Sequence, residues 1–259
     1  MRRPVPRFVR RLLRAFTRAD RLSKEQHELD WQRRWAALYQ QPGVKEKCLE
    51  YWRTHRFLDD IRRRVDMEGR RVLDVGCGIS TVLEFLPGRR TGIDPLGGAY
   101  ARMHRYSPGI DVVAACGEAI PFAAGAFDVV FCSNVIDHTS DPPRVVREVE
   151  RVLRPGGHFI LTVECFPDEE EGRVRNAGHP HNITVRRLES LIAGFTVLLH
   201  EQSPWVGLRR YVEGLPPTGR REHILLLRRS EAGRAEVAHP MHATAMRKPS
   251  PPAGGSLAR

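Results

Sequence analysis

Apolar positions change their period along the chain, and the changes divide it. Over residues 5–19, Val5, Phe8, Val9, Leu12, Leu13 and Phe16 recur at helical spacing opposite Arg7, Arg10, Arg11, Arg14 and Arg18, which predicts a basic amphipathic helix. A second helix is expected over 24–40, with Trp31, Trp35, Leu38 and Tyr39 on one side and Pro42-Gly43 as its stop. A third helical run continues through Val44, Cys48, Tyr51, Trp52, His55, Leu58, Ile61 and Val65. From residue 71 onward, short apolar runs alternate with helical ones. Strands are expected at Arg71–Val75, Thr91–Asp94, Ile110–Ala114, Phe127–Ser133, His158–Glu164, Phe195–His200 and Glu222–Leu227. Helices are expected between them at Ser80–Leu86, Gly97–Tyr106, Pro142–Leu153 and Thr184–Ala193. This alternation predicts an α/β fold, a doubly wound and mostly parallel seven-stranded sheet with an N-terminal helical extension. The expected parts are a basic helix over 1–23, a helical cap over 24–68, the α/β domain over 69–229 and a disordered tail over 230–259.

Charge sharpens this division. The 259 residues carry a formal +11, but residues 72–200 hold 12 basic against 16 acidic side chains. The basicity belongs to the flanks, so a nucleic-acid-binding core is not expected. An apolar stripe opposite arginines can pack as a lid over a ligand or as a dimer element, and it is also the pattern of a membrane-surface helix, which makes residues 5–19 a candidate for peripheral membrane contact. The longest run without Asp, Glu, Lys or Arg is Ser190–His200, too short to span a bilayer. Nor is there the uninterrupted apolar run of a secretory signal near Met1. Cys48, Cys77, Cys116, Cys132 and Cys165 are odd in number and widely spaced, as expected of a reduced, cytoplasmic protein.

Two features carry ligand chemistry. The stretch Asp74-Val75-Gly76-Cys77-Gly78 ends the first strand in a glycine turn. Glycines there let a ligand lie against bare backbone, and amides at the start of a following helix can bind a polar group. Asp94 ends the second strand, where a carboxylate can accept both hydroxyls of a ribose. A glycine turn plus a ribose acid suits either a dinucleotide or S-adenosylmethionine. The third glycine of the dinucleotide fingerprint is missing, since Gly78 is followed by Ile79-Ser80-Thr81. Asp74 adds a carboxylate that a pyrophosphate has no use for and that an amino-acid ammonium does.

Further along stand Gly117-Glu118-Ala119-Ile120-Pro121-Phe122, Phe127-Asp128-Val129-Val130, and Arg151-Val152-Leu153-Arg154-Pro155-Gly156-Gly157. With the glycine turn, these resemble the class I S-adenosylmethionine-dependent methyltransferases of the ubiquinone-methylase-like type, over about residues 70–200. Ile93 to Leu96, Asn134 to His138 and His179-Pro180-His181 are similar to stretches in members associated with glycan or natural-product biosynthesis. The resemblance implies S-adenosyl-L-methionine as cofactor. It places Gly76, Cys77 and Gly78 under it, Asp74 near its amino-acid end, Asp94 on the ribose and Leu96 by the adenine. It places Asn134 by the methionine portion and leaves the adenine amino group to Glu118 or to backbone at Gly117 and Ala119. Two positions depart from the pattern: Ser80 replaces a usual glycine, and Cys116 stands where an adenine-binding acid is common.

The implied reaction is methyl transfer to a small-molecule acceptor, expected to be a hydroxyl of a sugar, glycan or secondary metabolite. A hydroxyl must lose its proton at or near transfer, and histidine titrates in the right range. His138 and His181 are the expected catalytic residues, with His179 beside them. No metal site is expected, because His179, His181 and Cys165 match no standard zinc spacing. Two other readings compete. One is a non-catalytic cofactor-binding or scaffold protein that keeps the fold; intact Asp74, Gly76, Gly78 and Asp94 argue against it. The other is a nicotinamide-dependent oxidoreductase, which the missing third glycine disfavours.

Overall fold

The computed structural model describes residues 25–174 and 178–231. The Arg-rich segment 5–19 and nearly all of the expected tail lie outside these. Helix α1 runs over 25–39, followed by α2 (Val44–Thr54) and α3 (Leu58–Arg64). The sheet then forms from β1 (Arg71–Val75), β2 (Arg89–Asp94), β3 (Ile110–Ala114), β4 (Phe127–Ser133), β5 (Leu153–Cys165), β6 (Phe195–Pro204) and β7 (Arg221–Arg229). Its order is β3-β2-β1-β4-β5-β7-β6. The first five strands pair in parallel, and β7 runs antiparallel between β5 and β6. Four helices complete the fold: α4 (Gly97–Met103), α5 (Pro142–Val152), α6 (Val185–Ile192) and α7 (Leu208–Val212).

Both faces of the sheet are buried, which is why its central strands are apolar runs rather than alternating ones. Leu73, Val75, Val130, Cys132, Phe159 and Leu161 pack with α5 and α6 on one face. Val72, Val129, Phe131, Ile160 and Ile224 pack with Trp52, Leu58 and Ile61 of α2 and α3 on the other. A third cluster joins Trp35 and Tyr39 of α1 to Val44 and Cys48 of α2, Ile79, Tyr100 and Val212.

Three local expectations change. The continuous helix expected from Val44 to Val65 breaks at Phe57, which takes a left-handed φ of 52°, costly for a bulky side chain. The break drives Arg56 inward. Its Nη2 donates to Glu222 Oε1 at 2.8 Å, and its guanidinium lies over the Tyr51 and Trp52 rings. After the glycine turn, the expected helix over Ser80–Leu86 is only a 3-10 turn at Val82–Phe85. Thr81 caps it by accepting the Leu83 amide, and Pro87-Gly88 ends it. Finally, β5 begins at Leu153, so Pro155-Gly156-Gly157 interrupts its pairing with β4 as a bulge between Phe127 and Val129 rather than preceding the strand. Helix α7 was not expected from the apolar pattern.

Candidate active site

In an open parallel sheet, ligands meet the carboxyl ends of the strands where the order reverses, here between β1 and β4. The glycine turn leaves β1 at that point. Gly76 and Gly78 have φ of 71° and 53°, a region that favours glycine. A Cβ on Gly76 would stand 2.4 Å from Val135 Cγ2, so this glycine is also required by packing. The turn's amides are already engaged. Gly76 and Cys77 donate to the Ile93 carbonyl at 2.8 and 3.1 Å, and Gly78 donates to Asp94 Oδ2 at 3.3 Å. Cys77 is buried, its side chain against Gly92 of β2.

Two buried acids flank the turn. Asp74 is 4% exposed and accepts the Thr81 hydroxyl at 2.6 Å. Burial raises its pKa from 3.8 to about 7, opposed by the Thr81 hydrogen bond and the Arg56 charge. Asp94 is 9% exposed, and its Oδ1 accepts the Leu96 amide at 2.9 Å. Burial raises its pKa to about 6, opposed mainly by the Leu96 and Gly78 amides. Such a pair is unfavourable as two anions in a dry site and is relieved by a cation.

Helix α1 covers this turn. Gln32 Nε2 lies 3.3 Å from where a Gly78 Cβ would be, and Gln32 donates to Glu28 at 2.9 Å. From below, the Tyr106 hydroxyl donates to the Gly78 carbonyl at 2.8 Å. Leu96 packs with the cluster that joins α1, α2 and α7. Trp31 of α1 holds Arg209 of α7 over its ring at 4.5 Å. None of Glu28, Gln32 or Tyr106 stood out in the sequence, because each acts through a fold contact and not a motif.

Beyond β3, Gly117 packs tightly against Val75 and Val145, whose nearest atoms would stand 3.1 and 3.2 Å from a Cβ. Glu118 Oε1 accepts the Ser140 and Asp141 amides at 2.7 and 3.4 Å, which ties this turn to the start of α5. The Ala119 amide donates to the Cys116 carbonyl at 3.1 Å. At the end of β4, Asn134 takes φ 56° and donates its amide to the Thr162 carbonyl at 2.8 Å. The hydroxyls of Ser133 and Thr162, paired across β4 and β5, are buried there without a hydrogen-bond partner among the described residues.

Past Asn134, a 3-10 turn (Ile136–His138) presents Asp137 and His138. His179 arrives from the loop after β5. Its Nδ1 lies 3.0 Å from Asp137 Oδ2, and its ring centroid is 4.1 Å from that of His138. His138 Nε2 is 3.8 Å from Asp137 Oδ1. Of the two histidines expected to act, His138 joins this group. His181 does not; its Nε2 is buried without a hydrogen-bond partner among the described residues. Asp137 was not singled out in the sequence, although it stands within the Asn134 to His138 stretch.

Residues 73–161 match the family described as "Methyltransferase domain". The ubiquinone biosynthesis O-methyltransferase of Pseudomonas entomophila is 37% identical over 121 residues, covering 41% of this chain and 50% of that protein. The protein of the same name from Xanthomonas oryzae is 34% identical over 113 residues, 40% of this chain and 47% of that protein. The chain thus spans about half the length of these curated relatives. Among solved structures, the 1,6-didemethyltoxoflavin-N1-methyltransferase of Burkholderia thailandensis has a TM-score of 0.53 at 17% identity, over 89% of this chain and 94% of that one. The [4+2]-cyclase SpnF has 0.53 at 22%, over 68% and 81%. The seven-stranded sheet, the glycine turn between two buried acids and the match over residues 73–161 make this chain similar to the class I S-adenosylmethionine-dependent methyltransferases.

Proposed function

We propose that this chain binds S-adenosylmethionine across the β1–β2 turn and transfers its methyl group to a hydroxyl oxygen of a small-molecule acceptor. The observation that carries this is the Asp74–Asp94 pair, two buried carboxyls raised to about 7 and about 6. S-adenosylmethionine brings an ammonium and a sulfonium, the charges such a pair lacks, and ribose hydroxyls for Asp94 to accept. Asp74, Gly76, Cys77, Gly78, Asp94, Leu96 and Asn134 contact the cofactor in this proposal, and the Gly117-Glu118-Ala119 turn borders its adenine.

The sulfonium supplies the activation. The methyl–sulfur bond breaks as the methyl–oxygen bond forms in line, so the protein mainly aligns the two centres. The acceptor hydroxyl also loses its proton. The acceptor end lies past Asn134, beside Asp137, His138 and His179. His138 and His181 are the histidines proposed to take that proton. An oxygen acceptor follows the names of the curated relatives, which place theirs in ubiquinone biosynthesis. A fold shared with a protein titled a cyclase does not by itself fix the chemistry.

The test is transfer of labelled methyl from S-adenosylmethionine to a panel of phenols, free sugars and lipid-linked glycans. Label on an acceptor oxygen, lost in Asp94→Ala, supports the proposal. Label on nitrogen or carbon, or no label on any acceptor, overturns it. Which arm of the panel is labelled decides between a ubiquinone-type phenol and the sugar or glycan expected from the sequence.

No helix among the described residues is long and apolar enough to cross a membrane. Peripheral contact through residues 5–19 remains a proposal, tested by binding of the intact chain and of a chain lacking residues 1–21 to anionic vesicles.

A further inference from the structure

We propose that Asp137, His138 and His179 form a binding site for one divalent transition-metal ion. Among the described residues, these three bring one carboxylate oxygen and two imidazole nitrogens within 4.8 Å of one another. Asp137 is 2% exposed, whereas the two histidine side chains are 30% and 31% exposed. A buried carboxylate with two partly open imidazoles is a half-built coordination sphere facing solvent.

The distances fit shared coordination of one ion. His179 Nδ1 and Asp137 Oδ2 are 3.0 Å apart, close to the separation of two donors at right angles on an ion bound at about 2.1 Å. His138 Nε2 stands 3.8 Å from Asp137 Oδ1, beyond hydrogen-bond length but within the span of two donors around one ion. Each histidine addresses a different oxygen of the same carboxylate. The two imidazole centroids lie 4.1 Å apart, close enough for both rings to reach one ion. Sequence spacing gives no hint of this site, because His179 lies 42 positions from Asp137. The fold joins them by placing the end of β4 beside the loop that leaves β5.

Two imidazoles and one carboxylate suit zinc, iron(II), cobalt(II) or manganese(II) better than magnesium or calcium, which prefer all-oxygen sites. Three protein donors leave coordination positions open for an acceptor oxygen. Asp137 and His138 follow Asn134 by three and four residues, so the ion would border the place where acceptor and cofactor meet. A hydroxyl bound to it would give up its proton near neutral pH. That catalytic role rests on the methyltransferase reading; the binding of metal does not.

The experiment titrates the intact, chelator-treated protein with zinc by calorimetry and with cobalt(II) by visible absorption. One equivalent should bind at micromolar or lower concentration. Asp137→Asn and His179→Ala should each weaken this at least about tenfold, with the melting temperature confirming that each variant is folded. His179 is partly exposed, so its variant keeps the test open if Asp137→Asn fails to fold. Absence of stoichiometric uptake, or uptake unchanged in a folded variant, overturns the metal site and leaves an Asp–His pair. S-adenosylmethionine binding on the same samples is read separately. Its failure would remove the methyltransferase proposal without touching the metal result.

Discussion

Replacing Asp74 by asparagine should stabilise the cofactor-free protein while weakening its hold on S-adenosylmethionine. Asp74 is buried, and burial raises its carboxyl from 3.8 to about 7. Ionising it in the folded state therefore costs at most about 4 kcal/mol more than in the unfolded chain. The sign follows from linkage: the folded state holds the proton more tightly, so the penalty is absent below about pH 4 and complete above about pH 7. Asparagine carries no charge and can still accept the Thr81 hydroxyl, now 2.6 Å from Asp74 Oδ2. Its own amide must be desolvated, which takes back part of the gain. A net gain of about 2 kcal/mol at pH 8 corresponds to about 4–8 °C in Tm. Scanning calorimetry at pH 5, 6, 7 and 8 is the assay. Tm of the parent protein should carry a component that falls as pH rises from 5 to 8, and Asp74→Asn should lack it. Calorimetric titration should show weaker cofactor binding by the variant, whose ammonium partner is gone. A variant no more stable than its parent at pH 8, with the same pH slope, would show that ionised Asp74 carries no burial penalty.

Two further substitutions test the frame around the site. Gly76→Ala combines a left-handed φ with a Cβ 2.4 Å from Val135 Cγ2 and should cost about 2–4 kcal/mol by urea denaturation; adding Val135→Ala should recover only the packing part, and a cost below about 0.5 kcal/mol would contradict this. Arg56→Met leaves Glu222 buried without its 2.8 Å partner and should cost about 3–5 kcal/mol. Adding Glu222→Gln should restore much of that loss, whereas simple additivity of the two changes would show that the pair is not coupled.

The strands were legible because a sheet covered on both faces needs short, mainly apolar runs, and β1 and β4 fall where those runs lie. The helix expected after the glycine turn failed for a local reason. Val82, Leu83, Phe85 and Leu86 have a helical apolar pattern, but Thr81 caps its start and Pro87 stops it before a full α-turn repeats. The break at Phe57 was not legible, since its compensation lies in Glu222, 166 positions from Arg56. The candidate site divides in the same way. Asp74 and Asp94 could be read because each sits at a fixed step from the glycine turn. Gln32 over Gly78, and His179 against Asp137, are products of packing between distant segments, and no spacing rule announces them.

In the proposed function, the turn between Asp74 and Asp94 holds S-adenosylmethionine. Its most direct measurement is calorimetric titration of the intact chain and of Asp94→Ala with that cofactor. One molecule should bind per chain, and the variant should lose at least about tenfold in affinity, since hydrogen bonds to a charged group are worth about 1.5–3 kcal/mol. No binding by the parent chain, or equal binding by Asp94→Ala, would contradict it.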